Sequence, residues 1–177
     1  MNKERVMTKE EVQQRVLKDG KPLDSSLFDW DEKTNTFSSR ESGLVIDFRF
    51  VSYCTFRTGP YCTFKAGDHC TFRTEEGCVF NTGGHCTFRA ERDCVFDTGH
   101  SCVFNTKGDC VFNAGENCVF ETGDSCTFNT LSNCTFKTGD RCIVIRRLGY
   151  EVIELKSGQK IRLNVPGVKG FVVLNEN

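Results

Sequence analysis

Cysteine recurs at a fixed step of eight residues through the middle of the chain, and this regularity rules out most folds. The positions are Cys54, Cys62, Cys70, Cys78, Cys86, Cys94, Cys102, Cys110, Cys118, Cys126, Cys134 and Cys142, with no insertion between them. Two residues after each of the first eleven stands phenylalanine: Phe56, Phe64, Phe72, Phe80, Phe88, Phe96, Phe104, Phe112, Phe120, Phe128 and Phe136. The twelfth unit carries Val144 there. Such self-similarity marks a repeat architecture in which each unit needs its neighbours to bury a face. A helix is disfavoured, because eight residues do not match a 3.6-residue turn and Gly and β-branched residues recur throughout.

The unit reads Cys, Thr or Val, Phe, a polar residue, Thr or Ala, then Gly and polar residues. Its first five positions alternate, with Cys, Phe and Thr or Ala on one face, which is the pattern of a strand with one buried side. Gly, Asp, Asn and Ser crowd the remaining three, as in Thr122-Gly123-Asp124-Ser125. Gly is expected to supply the positive φ of a tight turn there, and Asp, Asn and Ser to bond back to the backbone. Coiling lets each short strand pair with its equivalent one turn on, about 4.8 Å away, so that Phe stacks on Phe and Cys on Cys. The fold expected is all-β: a parallel β-solenoid with small caps.

Two units per coil make a two-sided solenoid of 16 residues per turn, and three make a triangle of 24. The outward fourth position favours 16. Alternate units give Arg57, Arg73, Arg89, Asn105, Glu121 and Lys137 on one face, and Lys65, Asn81, Asp97, Asn113, Asn129 and Ile145 on the other. The spacing of Ala66, Ala90 and Ala114 keeps 24 open.

The solenoid is assigned to 46–149, with caps at 1–45 and 150–177. In the first cap, Thr8-Lys9-Glu10-Glu11 is a capping-box pattern, and Val12, Val16 and Leu17 follow at helical spacing before Gly20. This predicts a helix over about 8–19, followed by a hairpin over about 27–38. Ile46 and Tyr150 are expected in the Cys position of degenerate flanking rungs, and Val152 in the Phe position of the later one. Val152–Leu155 and Ile161–Leu163, around Ser157-Gly158-Gln159, read as a hairpin, and Phe171–Leu174 as a further strand.

A net charge of −1 over 177 residues selects neither nucleic acid nor an anionic membrane. The apolar runs are too short to span a bilayer, and the first residues lack a signal-peptide core. A cytoplasmic protein is expected, or a virion-associated one if phage-encoded. The twelve cysteines are read as reduced core residues: no close pair such as C-x-x-C suggests zinc, and ladder neighbours sit farther apart than bonded Cβ atoms. No cofactor, metal site or catalytic residue is expected. His69, His85 and His100 fall at turns, as do Asp68, Asp93, Asp109 and Asp124, and His69 and His85 stack in a 16-residue coil.

Two surface columns stand out. Arg57, Arg73 and Arg89 lie on consecutive rungs, where like charges repel unless an anion relieves them. Val79, Val95 and Val111 form an outward apolar stripe on the opposite face, a candidate for docking a protein partner or a second copy as a homodimer. The octads Cys-Thr-Phe-Lys-Thr-Gly-Asp-Arg and Cys-Val-Phe-Glu-Thr-Gly-Asp-Ser resemble short-repeat proteins of phage and bacterial genomes over roughly 46–149. That resemblance implies a solenoid and a viral setting, and no activity. The Thr ladders are also similar to those of insect antifreeze proteins, but Arg occupies the outward position next to Thr55, Thr71 and Thr87 here. The acidic surface of DNA-mimicking pentapeptide-repeat proteins is absent. The reading at this point is a non-enzymatic structural or protein-interaction solenoid, with a small-ligand or anion binder as the alternative.

Overall fold

The computed structural model describes residues 7–147 and 150–174. The extremities of the two expected caps, 1–6 and 175–177, and residues 148–149 lie outside the described residues. Two ten-stranded sheets face one another. The first runs from Lys21–Pro22 and Val16–Lys18 through Val45–Phe48, Thr63–Ala66, Val79–Thr82, Val95–Thr98, Val111–Asn113, Thr127–Thr130 and Cys142–Arg146 to Glu151–Leu155. The second runs from Asp29–Asp31 and Thr36–Ser38 through Thr55–Arg57, Thr71–Arg73, Thr87–Ala90, Val103–Thr106, Val119–Thr122, Thr135–Lys137 and Lys160–Leu163 to Phe171–Val173. Successive octads alternate between the sheets. The coil is therefore 16 residues, with Phe72 in register with Phe88 and Phe80 with Phe96. The two-sided solenoid expected from the outward columns is the fold.

The core is two interlocked columns of phenyl rings. Within a column, rings stack at 4.8–5.1 Å with planes 2–10° apart. Between columns each ring meets its neighbours edge to face, at 5.0–5.7 Å and 65–77°. The edge-to-face contacts set the positive rim of one ring against the negative face of another, worth about 0.5–1.5 kcal/mol per pair beyond area burial. Each buried Phe contributes roughly 1.5–3 kcal/mol by desolvation.

The turns work differently from the sequence expectation. Positive φ belongs to the residue before each cysteine: Tyr53, Tyr61, His69, Gly77, His85, Asp93, Ser101, Asp109, Asn117, Ser125, Asn133 and Arg141 all lie between 53° and 67°. Only Gly77 in this set is glycine. The left-handed turn points the N–H along the solenoid axis, where it donates to a turn carbonyl one coil on, as from His85 to His100 (2.9 Å) and Ser125 to Asp140 (2.8 Å). The recurrent Gly of the octad is needed instead for close approach between coils. A Cβ on Gly123 would stand 1.3 Å from the Lys107 carbonyl oxygen.

The ends depart furthest from expectation. The helix is Lys9–Gln13, held by the capping box of Thr8 and Glu11, and Val16–Lys18 is a strand. Val16 and Leu17 pair with Ile46 and Val45, so a sheet edge outcompetes continued helix. The expected hairpin forms between Asp29–Asp31 and Thr36–Ser38. Parallel pairing reaches back to Thr36–Ser38, which pairs with Thr55–Arg57. Ile46 lies opposite Phe64 and Phe48 opposite Ala66, an offset of 18 residues, so Ile46 takes the Phe position and Leu44 the Cys position. Two extra residues in the connection that follows, between Val45–Phe48 and Thr55–Arg57, shift that register. Tyr150 and Val152 do not form a further rung. Tyr150 is 96% exposed, and the chain reverses so that Glu151–Leu155 runs antiparallel to Cys142–Arg146, with Ile153 opposite Val144 in the core. Nor do Glu151–Leu155 and Lys160–Leu163 form a hairpin: the first closes one sheet, and the second pairs with Thr135–Lys137 in the other.

Candidate functional site

All twelve cysteines are buried thiols, and no disulfide forms among the described residues. They line the corners, six leading into each sheet, where their S–H groups reach turn carbonyls. Cys110 Sγ donates to Gly108 (3.0 Å), Cys86 to Gly84 (3.4 Å) and Cys134 to Gly115 (3.4 Å). A thiol fits because it is small, apolar and a weak donor. Ionisation is coupled along each column. For Cys110 the Cys126 thiol lowers the value, while the Cys94 thiol and burial raise it, with a net rise to about 11. Cys118 is lowered by Cys102, raised by Cys134 and by burial, and pushed up to about 12. Cys70, Cys78, Cys102, Cys126 and Cys142 are also raised, chiefly by hydrogen bonds with neighbouring thiols. Cys62, Cys86 and Cys134 are lowered by the thiols beside them, Cys62 to about 7 by Cys78. One thiolate in a column makes its neighbours donors to it and so keeps them protonated.

At one corner an aromatic column forms. Tyr53 stacks on His69 at 4.7 Å, His69 on His85 at 4.7 Å, and His100 meets His85 edge-on at 4.8 Å. The 16-residue coil thus brings His69 and His85 together as their spacing implies. Among the described residues no group of three or more His, Cys, Asp or Glu side chains is placed to hold a metal ion. Asp68 and Asp124 brace the turns, accepting from the backbone N–H of Gly84 (2.8 Å) and Asp140 (2.9 Å) one coil on.

Arg57, Arg73 and Arg89 stand in register on three adjacent rungs of the second sheet. They border an open groove of about 1140 Å3 that runs along the corner beneath Ser26–Asp29 and also takes in Glu41, Glu75 and Glu91. Two of these carboxylates are engaged elsewhere, Glu41 with Lys18 and Glu91 with Lys107 (2.5 Å). Thr58 and Thr74 border the same groove, with their hydroxyl oxygens buried on the side of the Cys62 and Cys78 thiols. A second hollow of about 610 Å3 near the N-terminal helix is lined by Met7, Glu11, Arg15, Asn35, Phe50 and Val51.

On the first sheet, Val79, Val95 and Val111 are 42%, 40% and 43% exposed and adjacent in register. Beside them runs a polar column of Asn81, Asp97, Asn113 and Asn129, in which the Asn129 amide donates to Asn113 (3.2 Å). Sequence reasoning missed Val103 and Val119, which stand exposed on the second sheet beyond the arginines. It also missed Arg146, which takes the inward Thr position opposite Thr130 yet is charged and 2% exposed. Its guanidinium donates to Val168 (2.6 Å), Asn164 (2.7 Å) and Val165 (2.8 Å) and faces Glu151 at 3.6 Å. An Arg where every other unit has Thr or Ala was the available signal. No helix among the described residues is long and apolar enough to cross a membrane. Comparisons with protein-family models, with curated protein sequences and with solved structures find no match.

Proposed function

We propose that this chain is a non-enzymatic structural or protein-interaction solenoid whose first sheet docks a partner through the Val79, Val95 and Val111 stripe. The observation that carries the reading is a sheet face on which half-exposed β-branched side chains and a column of Asn and Asp residues repeat in register, with the Asn129 amide bonded to Asn113. Such a face suits packing against another protein surface, because β-branched side chains have few rotamers to lose on docking. The octad resemblance directs the search for that partner toward phage-encoded proteins, in the cytoplasm or in the virion. A photo-cross-linking residue at Val95 tests the proposal in extracts of the native host. Adducts are expected, and Val79→Lys or Val111→Lys should remove them; an adduct of twice 20.0 kDa identifies a second copy. Absence of adducts, or adducts indifferent to both lysines, overturns the reading.

The arginine groove favours a second reading, a small-anion binder. Arg57, Arg73 and Arg89 form no ion pair among the described residues, and two of the three nearby carboxylates are occupied by lysines. Titration with inorganic phosphate and citrate, followed by calorimetry, tests it. Arg73→Glu should abolish the heat, and no heat with the native protein rejects the reading.

A further inference from the structure

We propose that the C-terminal end of the solenoid is a self-association surface, at which Phe171–Val173 pairs edge to edge with the same strand of a second copy. This goes beyond the sheet-face reading and uses a different surface. Phe171–Val173 closes the second sheet and, among the described residues, pairs on one side only, with Lys160–Leu163. All three residues are exposed, at 39%, 47% and 44%, and Val152, Val165 and Val168 expose further apolar surface in the adjoining C-terminal segments. The Leu174 N–H donates to the Lys160 carbonyl (2.8 Å). By the alternation of an antiparallel ladder, Val172 then bonds inward while the N–H groups of Phe171 and Val173 face the open edge. An apolar edge with unpaired donors is a template for strand addition.

The two ends are built differently. The N-terminal edges are Lys21–Pro22 and Asp29–Asp31: a proline without an N–H, a lysine and two aspartates, all devices that discourage edge pairing. Head-to-tail stacking would set Phe171 and Val173 against those aspartates and desolvate carboxylates with no cation opposite. A two-fold pairing has no such conflict. Antiparallel register about Val172 places Val172 against its own copy and Phe171 against Val173, an aromatic and β-branched combination favoured across strands. The edge of the first sheet tolerates the same symmetry. About Ile153, Glu151 would oppose Leu155 and Val152 would oppose Glu154, so no like charges meet. The assembly implied is a closed dimer, not a filament.

Sedimentation velocity of the full chain across a concentration series tests the inference. The native protein is expected to show a monomer–dimer equilibrium. Val172→Lys and Val172→Glu, at an exposed position, should each weaken dimerisation at least tenfold, and mixing the two variants should restore it, because position 172 meets itself across the axis. Val173→Pro, which removes an edge donor, should also leave monomers with unchanged circular dichroism. Val95→Lys should leave this dimer intact, so failure here is distinguishable from failure of the sheet-face reading. A native protein that stays monomeric throughout overturns the inference. So does a dimer that ignores both charges at position 172, or one broken by Val95→Lys instead.

Discussion

At the scale of single residues, the octad is a set of compromises with the 4.8 Å coil spacing. The residue before each cysteine accepts a left-handed backbone, a cost of about 1–2 kcal/mol for a non-glycine residue, and so turns its N–H onto the next coil. Glycine is spent where the coils nearly touch. Gly123→Ala should cost about 3 kcal/mol in urea unfolding, since backbone must move away from a Cβ 1.3 Å from a carbonyl oxygen. Gly158→Ala, at φ +70° with open space around it, should cost only about 1 kcal/mol. The thiols set an alkaline limit. More of them are raised than lowered, and a raised thiol is protonated in the folded state at a pH where the unfolded chain has begun to ionise. The unfolded state then binds fewer protons, so stability falls as pH rises. The contribution of the raised thiols is complete below about pH 9, the ordinary value, and for Cys110 and Cys118 is lost as pH climbs to about 11 and about 12, while the lowered Cys62, Cys86 and Cys134 act in the opposite sense. Thermal melts between pH 7 and 11 should show a falling midpoint above pH 9, and a flat profile would refute the coupling.

At the scale of elements, no strand of three to five residues is stable alone; each owes its existence to the columns it completes. The ends are where that logic must stop. Val144, Ile153 and Ile161 replace phenyl rings with aliphatic side chains at the last rungs, and the chain reverses to antiparallel pairing. Arg146 then binds the loop between Lys160–Leu163 and Phe171–Val173 through three carbonyls, while Glu151, facing it, accepts from the Gly170 N–H (2.9 Å). Arg146→Ala should leave those carbonyls unpaired and cost about 3–5 kcal/mol. Hydrogen exchange should show the loss confined to 151–173, with amides in the central coils protected as before. Uniform loss of protection would mean that the cap and the coils unfold as one unit.

At the scale of the molecule, stability is close to a sum over coils and their interfaces. Deleting 103–118, a whole coil, joins Cys102 to Val119 and preserves every register, so the shortened chain should fold and melt cooperatively with a slightly lower midpoint. Deleting 103–110, a single octad, also keeps the repeat in phase. It turns the C-terminal cap to the opposite side of the solenoid relative to the N-terminal cap, but Arg146 still stands opposite Thr130 and keeps its three carbonyls. That variant too should melt cooperatively, with a midpoint close to that of the whole-coil deletion. A far lower midpoint for the single-octad deletion, followed by circular dichroism, would mean that the caps discriminate between the sheets.

What the sequence alone determined here is the periodic part. Eight-residue recurrence of Cys and Phe fixes inward faces, stacking and strand direction, and the contrast between the Arg57 and Lys65 columns favoured a 16-residue coil over one of 24, which only the strand register decided. Repetition makes each local signal appear a dozen times, so noise averages out. The ends are read once only. Val16 and Leu17 have an apolar spacing that serves helix or strand equally, and only the sheet edge at Val45–Ile46 decided between them. The slip of Ile46 into the Phe position came from two extra residues in a connection, which no local pattern reports. Whether Glu151–Leu155 would fold back on Lys160–Leu163 or close the first sheet depended on which unpaired edge lay nearer. The buried charge of Arg146, the groove beside the arginine column and the bare edge at Phe171–Val173 exist only because distant segments meet. Tertiary packing decides such features, since they depend on which hydrogen-bonding groups remain unsatisfied once all the coils are stacked.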